Sequence, residues 1–572
     1  MLSGKSTKSP SITKFPSVTL VITITTALLL AIFMVFVINI KFSYYWYFLH
    51  SDIVADLAFV REAASSFSLF PSGWAHLNEM RFIYITTPAI LFYWITGNVH
   101  LAYALAVSSM VIINVALFYY MLNFKKRSLF VILTGAITFL MFFSRYDIFS
   151  VFSILFINGS LSVHLATLFL TVGVYLRIKY KAGKFRCEKI LWVFTLLLAF
   201  AQGIQSSRML GILYVPLLIV ELLPVLRSVN NKHIKIVRAG MVYAFLAVFL
   251  NGLGMVVINL LVDNGAVVVE SSGITARGTL AQVNIFVERF LDTVVSFFHS
   301  FGLVGGGYLV SIEGLIFAVR ASFILAIIVI YKNIQKDEAD KNLVSVFVAT
   351  VISSIVAQTI THAGIGERFN FTATSLMAVL FTVSLSSLVE NISITKKLES
   401  IRLDSSDNPT PQSAFANVLE YQNLQKYLAI IGVVVVLIGS HLSMSNIGTS
   451  RDYGLLEDRQ RVIDFLMVED LKVGYGAFWQ GLVINGFTDW EIVVIPFRSN
   501  SGVTGRPLQQ GVSYSDFHHD EERVFLVAAT THIEDAYNDT RMGSILEQGE
   551  RTEFPGGWVV YVFETNHWAE LK

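Results

Sequence analysis

The stretch His50-Ser51-Asp52-Ile53-Val54-Ala55-Asp56-Leu57-Ala58-Phe59-Val60-Arg61-Glu62 holds the residues best placed for chemistry. Asp52 and Asp56 are four apart, so on a helix both carboxylates share one face. Ile53, Leu57 and Val60 form an apolar stripe, the pattern of a helix lying along a membrane surface. A carboxylate at that depth could take the proton from a sugar hydroxyl while an apolar co-substrate stays in the bilayer. The plainer alternative is that Ser51 or Asp52 caps the helix and Asp56 faces water. Farther on, Trp74-Ala-His76-Leu-Asn78-Glu79-Met-Arg81 offers Glu79 and Arg81 to position a polar substrate, or Trp74 and Arg81 as interfacial anchors.

Three more segments carry charge beside apolar runs: Gln205-Ser206-Ser207-Arg208, His362-Ala-Gly-Ile-Gly-Glu367-Arg368-Phe369, and Arg320 with Glu313 seven residues before it. Charge at membrane depth is costly, so it tends to be paired, internal and functional. Arginine suits bidentate phosphate recognition. Arg208, Arg320 and Arg368 together therefore point to a polyanionic lipid headgroup. Singly, each could be a headgroup contact or, for Arg320, an ion pair with Glu313. Gly305-Gly306-Gly307 lacks the Lys and Ser/Thr of a phosphate loop. His518-His519-Asp520 reads as a solvated loop, because adjacent side chains point apart. Tyr475, Phe478, Trp479 and Trp490 could stack on sugars, but aromatics in a small domain are more often core.

The elements that must position these residues follow from composition. The chain has 572 residues, 15% of them charged, an apolar share of 54% and a mean hydropathy of +0.62. Those values exclude a disordered chain and argue for a membrane protein. A net charge of +1 gives no reason to expect nucleic acid as a partner. The lone Cys187 excludes an internal disulfide framework and a Cys-rich metal site.

Apolar runs at about residues 18–40 and centred near 110, 136, 168, 197, 217, 250, 322, 352, 380 and 434 give about eleven spans. Lys and Arg concentrate in segments 1–16, 123–128, 177–189, 227–238, 332–341 and 390–426, which places those inside and the N-terminus in the cytoplasm. Phe82 to Gly97 is too short for a span and contains Thr86-Thr87-Pro88, so it is expected as an interfacial or re-entrant helix. The expected architecture is mainly α. A polytopic helix bundle spans residues 1–446 with a large outer loop at about 41–98. A small extracytoplasmic α+β domain follows at 447–572, with a helix at 455–471 and strands at Glu491–Ile495, Val524–Val527 and Trp558–Phe563. Asp404–Ser413 reads as a cytoplasmic linker.

This layout resembles the GT-C superfamily of integral-membrane glycosyltransferases, and its bacterial, polyprenyl-phosphate-sugar-dependent members in particular. The basic N-terminus, the first span and the following outer loop with Asp52 and Asp56 match that pattern. Thr87-Pro88-Ala-Ile-Leu-Phe-Tyr-Trp94, then a span ending at Lys125-Lys126-Arg127, is similar to the family's Pro-Pro-x-x-x-Trp segment with one Pro missing. Glu367-Arg368-Phe369 resembles an Arg-aromatic motif before a late span. Gly474-Tyr475-Gly-Ala-Phe-Trp479 resembles part of the outer C-terminal domain.

The resemblance implies an inverting hexosyl- or pentosyltransferase of the bacterial plasma membrane. It would move a sugar from a polyprenyl-phosphate donor to a cell-envelope glycan, lipid or protein, as in lipopolysaccharide or surface-glycan biosynthesis. It implies Asp52 as base with Asp56 in reserve, Glu79 and Arg81 towards the acceptor, and Arg208 and Arg368 at the leaving phosphate. His362, Glu367 and Arg320 complete the expected substrate-binding set. No metal or other cofactor is expected, since lipid-monophosphate donors in this superfamily generally need none, although some diphosphate-using relatives do. A lipid-glycan transporter or flippase is the rival class, and a glycan polymerase or ligase the rival enzyme. The absence of two similar halves argues against the first, and the early position of the large loop against the second.

Overall fold

A computed structural model describes residues 18–43, 45–71, 74–76, 80–143, 150–181, 186–230, 239–269, 283–301, 303, 312–334, 336–360, 370–403, 430–442, 453–497, 522–530 and 540–566. Helix α1 (Val18–Ser43) leads through a single turn at Tyr45–Phe48 into α2 (Ser51–Ser65). A two-residue strand, β1 (Ala75–His76), and the short helix α3 (Thr86–Thr96) complete the first loop. Next come α4 (Val99–Leu122), α5 (Leu129–Ile137), α6 (Ser162–Lys181), α7 (Arg186–Gln205), α8 (Val215–Asn230) and α9 (Ala239–Asp263). Strand β2 (Val268–Val269) and α10 (Phe286–His299) precede α11 (Ile312–Asn333), α12 (Glu338–Ile360), α13 (Phe371–Leu403) and α14 (Ile430–Leu442).

All eleven expected apolar runs are helical. Among the described residues, six helices (α1, α4, α9, α11, α12 and α13) are long and apolar enough to cross a membrane. The others are shorter, as at Leu129–Leu140, Leu210–Leu226 and Ile430–Leu442, or carry charge at one end, as α6 and α7 do. Within Phe82 to Gly97, Thr86–Thr96 forms the 11-residue helix α3, too short to cross a membrane.

Lipid chains are as apolar as the side chains, so packing and internal hydrogen bonds hold such a bundle together. The crossing of α7 and α9 shows how. A Cβ on Gly203 would lie 2.0 Å from the Asn251 carbonyl oxygen, and one on Gly254 would lie 2.1 Å from the Phe200 oxygen. Only glycine lets these backbones meet, and Asn251 Nδ2 then donates to Ala199 O at 2.8 Å. Phenylalanines fill the centre: Phe118 stacks on Phe139, and Phe169 meets both edge-on.

The loops gather in two groups. Lys125 Nζ reaches Asp337 and Asp340 at 2.7 Å each, Arg127 also pairs with Asp340, and Tyr180 OH donates to Glu338 O. Those are three of the segments whose charge marks them as inside. At the other end of α4, β1 pairs with β2, and the Met80 and Ile83 N–H groups donate to Gln205. Segments expected on the same side of the membrane therefore do meet.

The C-terminal part contains α15 (Tyr453–Val468), β3 (Val473–Ala477), α16 (Phe478–Phe487), β4 (Val493–Phe497), β5 (Val524–Ala529), α17 (Thr540–Leu546), β6 (Glu550–Phe554) and β7 (Trp558–Phe563). The strands form one sheet in the order β4-β3-β5-β7-β6. β4, β3 and β5 run parallel, with Tyr475 opposite Ile495 and Leu526, while β7 is antiparallel to β5 and β6. β7 is an unbroken apolar run buried throughout, as a strand covered on both faces should be.

The expected α+β character holds, with shifted boundaries. α15 stops before Leu471 because Asp470 takes a left-handed backbone, φ 50°; β4 begins late because Asp489 and Trp490 do the same at φ 47° and 67°. Two central elements, β3 and α16, and the edge strand β6 were not expected. The proposed domain boundary at 447 and the linker Asp404–Ser413 lie outside the described residues.

Candidate active site

Helix α2 carries both candidate carboxylates. It does not float on a surface with one apolar stripe: Ile53, Val54, Ala55, Asp56, Leu57, Phe59, Val60, Ala63 and Ala64 are all buried. α3 and α4 cover part of it, and Trp94 Nε1 of α3 donates to Ala64 O at 3.2 Å. α16 covers another part. Leu482 is fully buried in the same apolar cluster, and a Cβ on Gly486 would fall 2.5 Å from Val54 Cγ2. Arg459 of α15 donates to Leu49 O at 3.2 Å, and Arg61 lies over the Trp490 ring at 4.6 Å with Asp489 3.3 Å away. The C-terminal region thus forms one wall around the catalytic candidate helix.

Burial on most sides puts Asp56 at the centre of a polar cluster. Arg81 Nε donates to Asp56 Oδ1 at 2.6 Å, and both side chains are nearly inaccessible. The Tyr103 hydroxyl lies 3.1 Å from Asp56 Oδ2 and 2.7 Å from the Asn158 carbonyl oxygen. One hydroxyl proton cannot serve two acceptors. Where the Tyr103 hydroxyl donates to Asp56 Oδ2 it favours the ionised carboxylate, as Arg81 does. Burial acts the other way and prevails, raising Asp56 from 3.8 to about 6 against the opposing pull of Arg81 and Tyr103. For Arg81 the balance is reversed. Burial opposes its charge, yet the Asp56 carboxylate prevails and holds the guanidinium above its ordinary range.

The start of α2 joins this cluster. His50 Nδ1 accepts the Asp52 N–H at 3.3 Å and so caps the helix. Its Nε2 lies 3.0 Å from the Asn158 side-chain amide nitrogen, the donor in this contact being set by the ring tautomer and the amide orientation. Ser153–Ile157, a π-helical segment, ends directly before Asn158. Lys41, buried at the end of α1, donates to Ile157 O at 2.7 Å and faces the Tyr45 and Tyr103 rings at 4.5 and 5.0 Å. Asp52, one turn before Asp56 on the same face, is only half-buried and raises the proton affinity of Asp56 and Arg81 by its charge.

The structure thus brings Asp52, Asp56 and Arg81 together. It places the Arg208 turn against the same loop, since Gln205 accepts from both Met80 and Ile83. Arg208 itself is half-buried. Arg320 is buried elsewhere, its Nε donating to Phe142 O at 3.2 Å. Glu79, His362, Glu367 and Arg368 lie outside the described residues, as do Gly305–Gly307 and His518–Asp520; nothing is described of the Glu313, Phe478 and Trp479 side chains. Tyr475 packs against the sheet core and Trp490 lies under Arg61, so neither forms an open stacking face.

Sequence reasoning missed Lys41, His50, Tyr103 and Asn158. A signal existed only for Lys41, a single charge ending a long apolar run. Among the described residues, no three His, Cys, Asp or Glu side chains gather as metal ligands. An apolar cavity of about 380 Å3 opens between α11, α13 and α14, lined by Phe323, Ile327, Phe381, Leu385 and Val435 among others.

No family model matches the chain, and no curated protein sequence matches it. Its fold does match solved structures. The crystal structure of ArnT from Cupriavidus metallidurans in the apo state aligns with a TM-score of 0.52 over 95% of this chain and 97% of its own, at 10% identity. The structure of the same protein bound to undecaprenyl phosphate aligns equally well, over 96% and 98%. ArnT is a GT-C glycosyltransferase, so the fold expected from the loop layout is the fold found.

Proposed function

We propose that this chain is a membrane glycosyltransferase that moves a sugar from a polyprenyl-phosphate donor to a cell-envelope acceptor on the outer face of the plasma membrane. The observation that carries the reading is the pairing of Asp56 with Arg81 beside half-buried Asp52, in the first loop of a chain folded like ArnT along nearly its whole length. ArnT binds undecaprenyl phosphate. The cavity between α11, α13 and α14 offers a comparable apolar chain a place away from the polar cluster.

Access divides the roles. A general base must touch the hydroxyl it deprotonates. Asp56 is 2% exposed, with Oδ1 held by Arg81 and Oδ2 beside Tyr103, so it positions the loop. Asp52 remains reachable, so it takes the proton as the acceptor oxygen attacks the anomeric carbon from the face opposite the phosphate, inverting the configuration. The bond to the phosphate oxygen breaks and its electron pair leaves with the phosphate. Arg208 and Arg368 steady that charge. The reaction needs no resident metal in this scheme.

The mass of envelope glycans from cells with and without the protein tests this reading. A species heavier by one pentose or hexose residue, present only with the protein, is expected. Identical glycan masses would refute the reading.

A further inference from the structure

Helix α10 has the burial pattern of a water-soluble helix turned inside out. Its polar side faces the protein. Arg289 donates from Nη2 to Gln358 O at 2.8 Å and from Nε to Thr359 O at 3.3 Å, at the carbonyl end of α12. Thr293 and Ser296 are buried beside it, and Ser296 Oγ accepts from Asn370 Nδ2 at 3.2 Å, just before α13. Its other side is apolar and open. Val287, Phe290, Leu291, Val295 and Phe298 are between 48% and 71% exposed. At 100° per residue these five fall on one arc, and Glu288 and Asp292 stand together along its edge.

We propose that this face is sunk among lipid acyl chains, with α10 lying at the boundary of the bilayer. Depth follows from its neighbours. Arg289 holds the last carbonyls of α12, a 23-residue helix long enough to cross the membrane, so α10 begins where that span ends. Fourteen residues reach only about 21 Å, too short to cross about 30 Å of hydrocarbon. The flanking helices α9 and α11 are themselves candidate spans. An acidic edge beside an apolar face suits headgroups and water on one flank and acyl chains on the other. Because that edge is acidic, insertion needs no anionic lipid. The polar side meanwhile ties the end of α12 to the start of α13, on either side of residues 361–369.

Site-specific fluorescence tests this in the full-length protein, with Cys187→Ser removing the sole cysteine. An environment-sensitive dye is attached at Val295→Cys, at Val287→Cys or at Asp292→Cys, and each protein is placed in phosphatidylcholine vesicles. Brominated acyl chains should quench the Val295 and Val287 dyes about twofold or more, while aqueous iodide leaves them bright. The Asp292 dye should show the reverse. Two apolar positions guard against one label disturbing the helix. Iodide quenching at Val287 and Val295 equal to that at Asp292 would overturn the proposal, and so would protection from both quenchers, which would mean a protein surface covers the face. No outcome depends on glycosyl transfer, so failure here is separable from failure of the functional reading.

Discussion

Asp56→Asn is a near-isosteric copy of the protonated side chain. Its Oδ1 can still accept from Arg81 Nε, and its Nδ2 can donate to the Tyr103 hydroxyl as the acid proton would. The fold raises Asp56 from 3.8 to about 6, so the folded chain holds this proton more tightly than the unfolded chain does. Relative to the variant, wild type is then most stable below about pH 4, loses that advantage as pH rises, and has lost all of it above about pH 6. The rise corresponds to about 3 kcal/mol in total, of which about 2 kcal/mol falls between pH 4.5 and 7.5. Heat-induced unfolding of the detergent-solubilised proteins, followed by tryptophan fluorescence across that range, reads the difference. Other titrations are common to both proteins and cancel. A difference in midpoint that stays flat, or that favours wild type as pH rises, would refute the burial argument and make Arg81 the dominant influence.

Gly486→Ala sets helix propensity against packing. The propensity gain is at most about 1 kcal/mol. A new Cβ 2.5 Å from Val54 Cγ2, on a buried helix that cannot yield, costs about 1–3 kcal/mol, so the variant should unfold at lower temperature. Adding Val54→Ala should recover part of the loss; no recovery would mean the contact is not the cause. Arg81→Lys keeps the charge but cannot keep Nε on Asp56 Oδ1, so glycan transfer in cells should fall at least about tenfold at unchanged protein level. A reporter active only outside the cytoplasm should work when fused after Lys572 and be silent at Pro411, and the reverse would invert every loop assignment.

The membrane layer was legible because its signal is local. Each apolar run declares its own helix, and charges in the loops declare which ends meet, as Lys125 with Asp340 confirms. The centre of the C-terminal sheet was not. Gly474, Gly476 and Gly481 add nothing to an apolar pattern, yet they sit where Phe525, Val494 and Val527 press against β3 and α16. Small residues there serve neighbours that periodicity cannot see. The site was half legible for the same reason. Spacing put Asp52 and Asp56 on one helical face, but which of them is buried depends on Arg81, Tyr103 and Asn158, which come from three later segments. The apolar stripe suggested one covered side, whereas α3, α4 and α16 cover most of α2.

Asp52 is the proposed base, and a polyprenyl-phosphate sugar the proposed donor. Purified protein in vesicles, supplied with polyprenyl-phosphate hexose and pentose donors and cell-envelope extract as acceptor, should release polyprenyl phosphate. General-base loss costs about 10²–10⁴-fold, so Asp52→Asn should release almost none while remaining folded and membrane-embedded. Release by Asp52→Asn at the wild-type rate would contradict the assignment of the base. A wild-type protein that carries the intact lipid-linked sugar across the vesicle membrane without breaking the sugar–phosphate bond would contradict the enzyme itself.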